Sequence, residues 1–364
     1  MKIHILKEHF LEGLQRVQNV VSTRTTLPVL SNVLLRAQKD SLSLATTDLD
    51  TGIQATVEAK VDRVGAVTLP ARRLFSIVRE LGSPDIYIEV DKVSAIIRAG
   101  GATFRIMGLP EEDFPPLAKL AAAHEFSLEQ KILKEMLKQT AYAMSTEESR
   151  YVLNGVLLSF RNDKLTVVAT DGRRLALVEQ EMEIPRPSEV DAILPSKAVN
   201  ELLRLLGDEG TAQIAVSDNQ IAFTSGTTYL VSKRVEGNYP NYRQVIPTES
   251  TERITLEREL FLTTVRRISL LSSDKSNSVK LALSKASLEI SSATPDVGDA
   301  RETMSVNYKG KDFSIAFNPD YLMDPLKNLD SDEVHLDFTD ELSPGVIRYA
   351  NRPFLYVIMP MRTA

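Results

Sequence analysis

The stretch Asn154–Asp171, NGVLLSFRNDKLTVVATD, decides the fold because the chain repeats it. The segment Ser31–Asp48, SNVLLRAQKDSLSLATTD, aligns with it without a gap at an offset of 123 residues. A third copy, beginning at Val279, lies at twice that offset from the first. Similarity at a fixed spacing is typical of a chain built from copies of one structural unit.

A proline follows each copy and precedes a segment with the apolar spacing of a helix. Pro70, Pro195 and Pro319 stand before ARRLFSIVREL, SKAVNELLRLL and DYLMDPLKNL, and proline is favoured in the first turn of a helix. Each copy also ends alike, in Asp113-Phe114-Pro115, Asn238-Tyr239-Pro240 and Met359-Pro360-Met361. The sequence therefore predicts three repeated domains, covering residues 1–122, 123–247 and 248–364.

Each predicted domain begins with a short strand and a helix, the three helices covering residues 8–20, 129–143 and 257–269. Period-two segments such as Val156–Phe160 and Val334–Phe338 then predict strands with one apolar face. A second helix and further strands follow. The fold class is therefore predicted to be α+β, with two helices backed by antiparallel sheets in each domain.

Composition limits the possible classes of protein. The hydrophobic fraction is 43% and the charged fraction 25%, and no stretch approaches the roughly 20 apolar residues of a membrane span. The N-terminus lacks the apolar core of a secretory signal. With no cysteine and four scattered histidines, we expect no disulfide, metal or cofactor, and a reducing, cytoplasmic location.

Charge is distributed unevenly. The net charge of −6 argues against a nucleic-acid binder when taken alone. The six predicted helices nevertheless carry +3 and the rest of the chain −9. Two interpretations stay open: the helices have ordinary solvated faces, or they line a path for DNA while the exterior is acidic.

Enzyme signatures are weak. Ser272–Lys275 matches S-x-x-K and Ser217–Asn219 matches S-D-N, but their order is reversed relative to penicillin-recognising enzymes and K-T-G is absent. Asp48, Asp50 and Asp171 suggest a metal cluster, yet the repeat assigns Asp48 and Asp171 to equivalent turns of different domains. No P-loop, H-E-x-x-H or G-x-S-x-G occurs. We therefore expect a protein that is not an enzyme.

Over its entire length the chain resembles the beta subunit of bacterial DNA polymerase III, the sliding-clamp family. The matching stretches are TLPVLSNVLL (26–35), TDLD (47–50), LPARRLF (69–75), DFP (113–115), RYVLNG (150–155), VATDGRRLA (168–176), YPNYRQVIP (239–247) and YVIMPMR (356–362). The resemblance implies a head-to-tail homodimer whose six domains close into a ring around duplex DNA, with helices inside and sheets outside.

In this family the ring is a processivity factor that tethers the polymerase. The implied partners are duplex DNA, bound without sequence preference, the catalytic and clamp-loader subunits of DNA polymerase III, and other polymerases and repair proteins with short linear motifs. Weak, salt-screened attraction to phosphates permits sliding. The alternative is a repeat scaffold that binds replication or repair proteins without encircling DNA.

The resemblance also assigns three sets of residues. A partner-peptide site would involve Leu153, Thr170, Gly172, Arg174, Leu175, Pro240, Val245, Val346, Met359, Pro360, Met361 and Arg362. The DNA path would involve Arg24, Arg73, Arg79, Arg150, Tyr151, Lys197 and Tyr321. The dimer interface would involve Phe104, Ile106, Leu270 and Leu271. Gln244, where arginine is common in the family, and the Pro344-Gly345 region leave the preferred peptide motif open.

Overall fold

The computed structural model describes residues 1–21, 26–117, 119–121, 124–184, 188–272, 277–295, 297–349 and 353–362. Within them lie six α-helices: α1 (Lys7–Val17), α2 (Ala71–Glu80), α3 (Gln130–Thr140), α4 (Ser196–Leu205), α5 (Arg258–Ile268) and α6 (Pro319–Asn328). The predicted first helices begin within one residue of the observed starts and extend one to three residues past the observed ends. The second helices differ from prediction only at their last residue. None of the helices in these parts of the chain is long and apolar enough to cross a membrane.

The described chain also contains 25 strands. The first ten are β1 (Lys2–Leu6), β2 (Asn32–Gln38), β3 (Ser41–Thr47), β4 (Thr51–Glu58), β5 (Lys60–Arg63), β6 (Gly65–Pro70), β7 (Asp85–Asp91), β8 (Ser94–Ala99), β9 (Ala102–Met107) and β10 (His124–Glu129). The next seven are β11 (Gly155–Arg161), β12 (Lys164–Thr170), β13 (Arg174–Glu181), β14 (Val190–Pro195), β15 (Thr211–Val216), β16 (Gln220–Ser225) and β17 (Thr228–Lys233). The last eight are β18 (Glu252–Glu257), β19 (Val279–Ser284), β20 (Ser287–Thr294), β21 (Gly298–Ser305), β22 (Phe313–Phe317), β23 (Glu333–Phe338), β24 (Gly345–Arg348) and β25 (Phe354–Ile358).

These elements form two compact units. The first unit comprises Met1–Lys134 with Lys197–Arg234, and the second comprises Glu135–Ser196 with Val235–Ala364. The first contains an eight-stranded sheet, β10-β15-β16-β17-β4-β3-β2-β6, and a five-stranded sheet, β5-β1-β7-β8-β9. The second contains an eight-stranded sheet, β18-β23-β24-β25-β13-β12-β11-β14, and a four-stranded sheet, β21-β20-β19-β22.

The two eight-stranded sheets are equivalent strand by strand. In each, four strands of one repeat join four strands of the next through one antiparallel pair, β4 with β17 and β13 with β25. Gly52 opposes Val231 at the first junction, and Leu175 opposes Val357 at the second. Successive repeats are therefore joined by continuous sheets with main-chain hydrogen bonds.

Helix formation follows local sequence. In α1, Phe10, Leu14 and Val17 are buried at helical spacing. In α6, Asn318 caps the helix by accepting hydrogen bonds from the amides of Asp320 and Tyr321, and Pro319 occupies the first turn. The proline-marked helix starts of the sequence are thus real helix boundaries.

Both faces of β11 are buried. Val156, Leu158 and Phe160 of β11 are fully buried as expected, but Leu157 and Ser159 on the opposite face are only 5% and 7% exposed. The second face is covered because Leu157 belongs to an apolar cluster that includes Tyr242 from a later segment. The expected one-sided alternation does hold in β7.

Candidate functional site

A tight turn between β12 and β13 forms the centre of the candidate site. The Thr170 hydroxyl donates to the carbonyl oxygen of Arg174 at 2.6 Å and accepts from the amide of Gly172 at 3.1 Å. Asp171 Oδ1 accepts from the amides of Arg173 and Arg174 at 2.9 and 3.0 Å. Gly172 has a φ of +86°, a conformation that favours glycine. These bonds fix the backbone where β13 begins.

The guanidinium of Arg174 is held on three sides. Its Nε donates to Asp171 Oδ2 at 3.0 Å, its Nη1 to Asp324 Oδ2 at 2.5 Å, and its Nη2 to the carbonyl oxygen of Tyr142 at 2.7 Å. Its Cζ lies 4.3 Å from the ring centre of Tyr321. The side chain is only 10% exposed, so its orientation is set by these contacts.

Two tyrosines complete the buried part of this cluster. The rings of Tyr142 and Tyr356 are 5.9 Å apart, and the Tyr356 hydroxyl donates to the carbonyl oxygen of Tyr321 at 2.8 Å. Burial raises the pKa of Tyr142 and of Tyr356, so both remain neutral. Burial opposes the charge of Arg174, but the carboxylates of Asp324 and Asp171 outweigh this and raise its pKa. Arg174 is therefore a fixed cation.

An apolar floor adjoins the turn. Leu175 of β13 opposes Val357 of β25, which in turn opposes Val346 of β24. Leu175 and Val346 are each 2% exposed and share one apolar cluster with Tyr242. Leu153, 8% exposed, precedes β11. The register of three strands thus places side chains from distant parts of the sequence in one floor.

The remaining predicted residues form an exposed rim in the same unit. Val245, Met359 and Met361 are 49%, 42% and 36% exposed. The amide of Met359 donates to the carbonyl oxygen of Arg173 at 2.9 Å, which attaches the C-terminal segment to the turn. Pro240 and Arg362 are exposed and Pro360 is partly exposed. A fixed cation, an apolar floor and accessible methionines are chemically suited to a peptide.

Models of the three domains of the DNA polymerase III beta subunit match the chain in order. The N-terminal, central and C-terminal models match residues 1–118, 127–241 and 243–362. The chain belongs to the DNA polymerase III beta subunit family, the beta sliding clamps. The resemblance and the fold class predicted from the sequence are thereby confirmed.

Individual clamps are similar over their full length. The beta sliding clamp of Chlamydia muridarum is 38% identical over 363 residues, covering 100% of this chain and 99% of the relative. That of Proteus mirabilis is 35% identical over 367 residues, covering 100% of both. The crystal structures of the clamps from Pseudomonas aeruginosa, bound to griselimycin, and Bacillus subtilis have TM-scores of 0.96 and 0.95 and identities of 34% and 32%, each covering 100% of both chains. The function of the family is that of a DNA sliding clamp.

Two residues that the sequence assigned to the DNA path of a clamp also contact the turn. Arg150 Nη1 donates to the carbonyl oxygen of Asp171 at 2.9 Å, and the ring of Tyr321 lies against Arg174. Tyr151, beside Arg150, is 59% exposed. One sequence signal could have linked Tyr321 to Asp324: the two are three residues apart, a spacing that places both side chains on one face of α6. Sequence reasoning did not assign Asp324, Asp171 or Tyr142 to the peptide site.

The other basic residues assigned to DNA differ in availability. Arg73 and Arg79 are exposed on α2, and Arg79 pairs with its neighbouring glutamate. Lys197 instead donates to Asp48 Oδ2 at 2.5 Å and to a backbone carbonyl at 2.9 Å. Lys197 therefore has a structural contact within its own unit, and its place in the DNA path stays a prediction. Arg24 lies outside the described residues.

The apolar residues assigned to a clamp's dimer interface are only partly accessible. Phe104 on β9 is 37% exposed and Leu270 is 77% exposed, while Leu271 is partly exposed. Ile106, also on β9, is only 5% exposed within one chain, and its assignment to the interface stays a prediction. β9 and β21 each form one edge of their sheets.

The suspected metal cluster is not formed. Across the described ranges, no three histidine, aspartate or glutamate side chains are placed to hold a metal ion. The carboxylate of Asp48 forms an ion pair with Lys197, and that of Asp171 forms one with Arg174.

Proposed function

We propose that two copies of this chain, each with domains at 1–122, 123–247 and 248–364, associate head to tail into a ring around duplex DNA. The main support for this proposal is the exposed apolar surface beside two sheet edges, formed by β9 and β21. Met107 on β9 is 63% exposed and Phe104 37%; Val297, just before β21, is 58% exposed and Leu270 77%. An unpaired strand edge with apolar side chains is a template for pairing with another chain. If β9 of each copy pairs with β21 of the other, the two contacts are equivalent and the dimer closes into a ring.

The ring would hold DNA by topology. Arg73 and Arg79 of α2 offer exposed guanidinium groups, and phosphate contacts of this kind carry no sequence information. The attraction weakens with salt, which permits sliding. The protein would work as a cytoplasmic processivity factor without a catalytic step of its own.

The site around Arg174 would bind short linear motifs of partner proteins. These would include the catalytic and clamp-loader subunits of DNA polymerase III, other polymerases and repair proteins. The floor of Leu175 and Val346 suits apolar side chains, and Arg174 suits carbonyl or carboxylate groups. Met359 and Met361 have unbranched, adaptable side chains that can fit several motifs.

A scaffold that binds such proteins without encircling DNA would have the same peptide site. It would have no need of the exposed apolar residues beside β9 and β21, and the ring therefore explains more of the surface. The two functions make different predictions for DNA without ends.

The deciding experiment loads the protein onto nicked circular DNA with a bacterial clamp loader and ATP, then linearises the DNA. A ring stays on the circle during gel filtration and leaves after linearisation. Leu270→Asp is the comparison variant. It alters one exposed residue of the proposed interface and should abolish retention on the circle. Retention on linear DNA, or no loading of the unmodified protein, would contradict the ring.

A further inference from the structure

Asp324 joins α6 to the candidate peptide site. Its Oδ2 accepts from Arg174 Nη1, although the two residues are 150 positions apart in the sequence. The side chain of Asp324 is 25% exposed and that of Arg174 10%. An ion pair this sheltered is weakly screened and has defined geometry. Asp324 is therefore one of three acceptors that determine where the guanidinium points.

The three acceptors account for three of the donors of the Arg174 guanidinium. Arginine has five N–H donors in one plane. Asp171 takes Nε, Asp324 takes one hydrogen of Nη1, and the Tyr142 carbonyl takes one hydrogen of Nη2. Tyr356 also forms a side-chain hydrogen bond with Arg174. Because the five donors share one plane, the orientation of the guanidinium decides which of them face a bound peptide.

The first repeat junction shows that the fold does not require this pair. Thr51 begins β4 as Arg174 begins β13, and Asn200 of α4 corresponds to Asp324 of α6 when Pro195 is aligned with Pro319. Neither Thr51 nor Asn200 is charged, so the first junction lacks this ion pair. The turn itself keeps its hydrogen bonds, since Asp48 Oδ1 accepts from the amide of Thr51 at 2.7 Å. The second junction therefore has an added ion pair on an otherwise equivalent frame.

We propose that Asp324 is a positioning residue of the peptide site, acting through Arg174. This inference rests on the proposed function of that site. Removing Asp324 leaves Nη1 without its acceptor, and the guanidinium can turn toward Asp171 and withdraw donors from the peptide. Lys327 Nζ lies 3.6 Å from Asp324 Oδ1 but is 43% exposed, so it contributes little to holding the carboxylate.

The test measures binding of a fluorescein-labelled synthetic peptide that carries the clamp-binding segment of a bacterial DNA polymerase III catalytic subunit. Asp324→Ala, which suits a helix, should weaken binding on the order of tenfold. Asp320→Ala removes the same charge from an exposed position on the same helix and should stay within about twofold. Lys327→Gln should also stay within about twofold.

A double-mutant cycle separates positioning from a general structural role. In the Arg174→Ala background, adding Asp324→Ala should cause no further loss of peptide affinity, because the group it acts through is gone. An additive loss would overturn the inference. So would unchanged affinity of Asp324→Ala while the unmodified protein binds. If the unmodified protein does not bind, the proposed function of the site fails instead.

A second variant avoids dependence on the folding of Asp324→Ala. Arg174→Lys keeps the charge, but one ammonium cannot make the same planar three-sided contacts. The inference expects Arg174→Lys to lose nearly as much affinity as Arg174→Ala, with thermal melting unchanged or slightly lowered. Wild-type affinity in Arg174→Lys would show that orientation does not matter and would overturn the proposal.

Discussion

Leu49 and Gly172 occupy the same point of two equivalent turns and share a left-handed backbone, with φ of +79° and +86°. The amide of each donates to the threonine hydroxyl two residues before it, Thr47 at 3.0 Å and Thr170 at 3.1 Å. Glycine adopts this conformation without a steric penalty, whereas a branched side chain does not. The first turn therefore stores backbone strain that the second avoids.

Replacing Leu49 with glycine should stabilise the protein. Relief of a left-handed non-glycine conformation is worth about 1–2 kcal/mol, and the added freedom of glycine in the unfolded chain offsets roughly half of it. Leu49 is 48% exposed, so little burial is lost. Thermal melting should show a higher midpoint. Gly172→Ala is the reciprocal control and should lower the midpoint; a lower midpoint for Leu49→Gly would contradict the strain argument.

The helices could be predicted because the residues that determine them are close together in the sequence. The apolar spacing in α1 and the proline before α2 locate helices within a few residues. The continuous sheets could not be predicted, because β4 pairs with β17 and β13 with β25 across long stretches of sequence. For the same reason the second buried face of β11 was missed.

The candidate site likewise has some residues that the sequence predicts and others that only the fold brings together. Gly172 and Arg174 lie in one short motif that sequence comparison can find. Asp324 contacts Arg174 only because α6 and the turn meet in the folded unit, and nothing local in the sequence indicates this. The contact of Lys197 with Asp48 likewise could not be predicted, because nothing local in the sequence distinguishes a paired lysine from a free surface cation.

Arg73 and Lys197 should respond differently to removal. Arg73→Ala should weaken binding of a short duplex that can thread the ring, and should reduce the slope of log affinity against log salt by about one. Lys197→Ala should leave that slope unchanged but lower the melting midpoint, because Asp48, 17% exposed, loses its cation. Fluorescence anisotropy over a salt series and thermal melting distinguish the two. If both variants change the salt dependence of DNA affinity equally, Lys197 also contacts DNA and this prediction is wrong.

Glu201 should make stability depend on pH. Burial raises the pKa of its carboxyl above the ordinary value of 4.5, so the folded state favours the neutral form. That contribution is present below pH 4.5 and is lost as the pH rises through the folded pKa. Glu201→Gln mimics the neutral form and should raise the melting midpoint at pH 7, on the order of 1–2 °C.

Arg204 supplies the control for this effect. Arg204→Gln removes the exposed partner of Glu201, so the carboxylate becomes harder to accommodate and the midpoint at pH 7 should fall. The difference between Glu201→Gln and the unmodified protein should shrink toward pH 4. A difference that is constant from pH 4 to 8 would rule out titration of Glu201 as the cause.

Leu270 offers the sharpest test of the proposed dimer. At 77% exposure its side chain has little to lose within one chain, so Leu270→Asp should leave the melting of the domains nearly unchanged. At an apolar interface the new carboxylate would be desolvated without a partner, which opposes association. Light scattering should then give the 40.4 kDa mass of one chain for the variant and twice that for the unmodified protein. Leu342→Asp is matched in chemistry and exposure, at 78%, but lies away from β9 and β21 in sequence, and should remain dimeric. If both variants dissociate, or neither does, Leu270 is not at the interface.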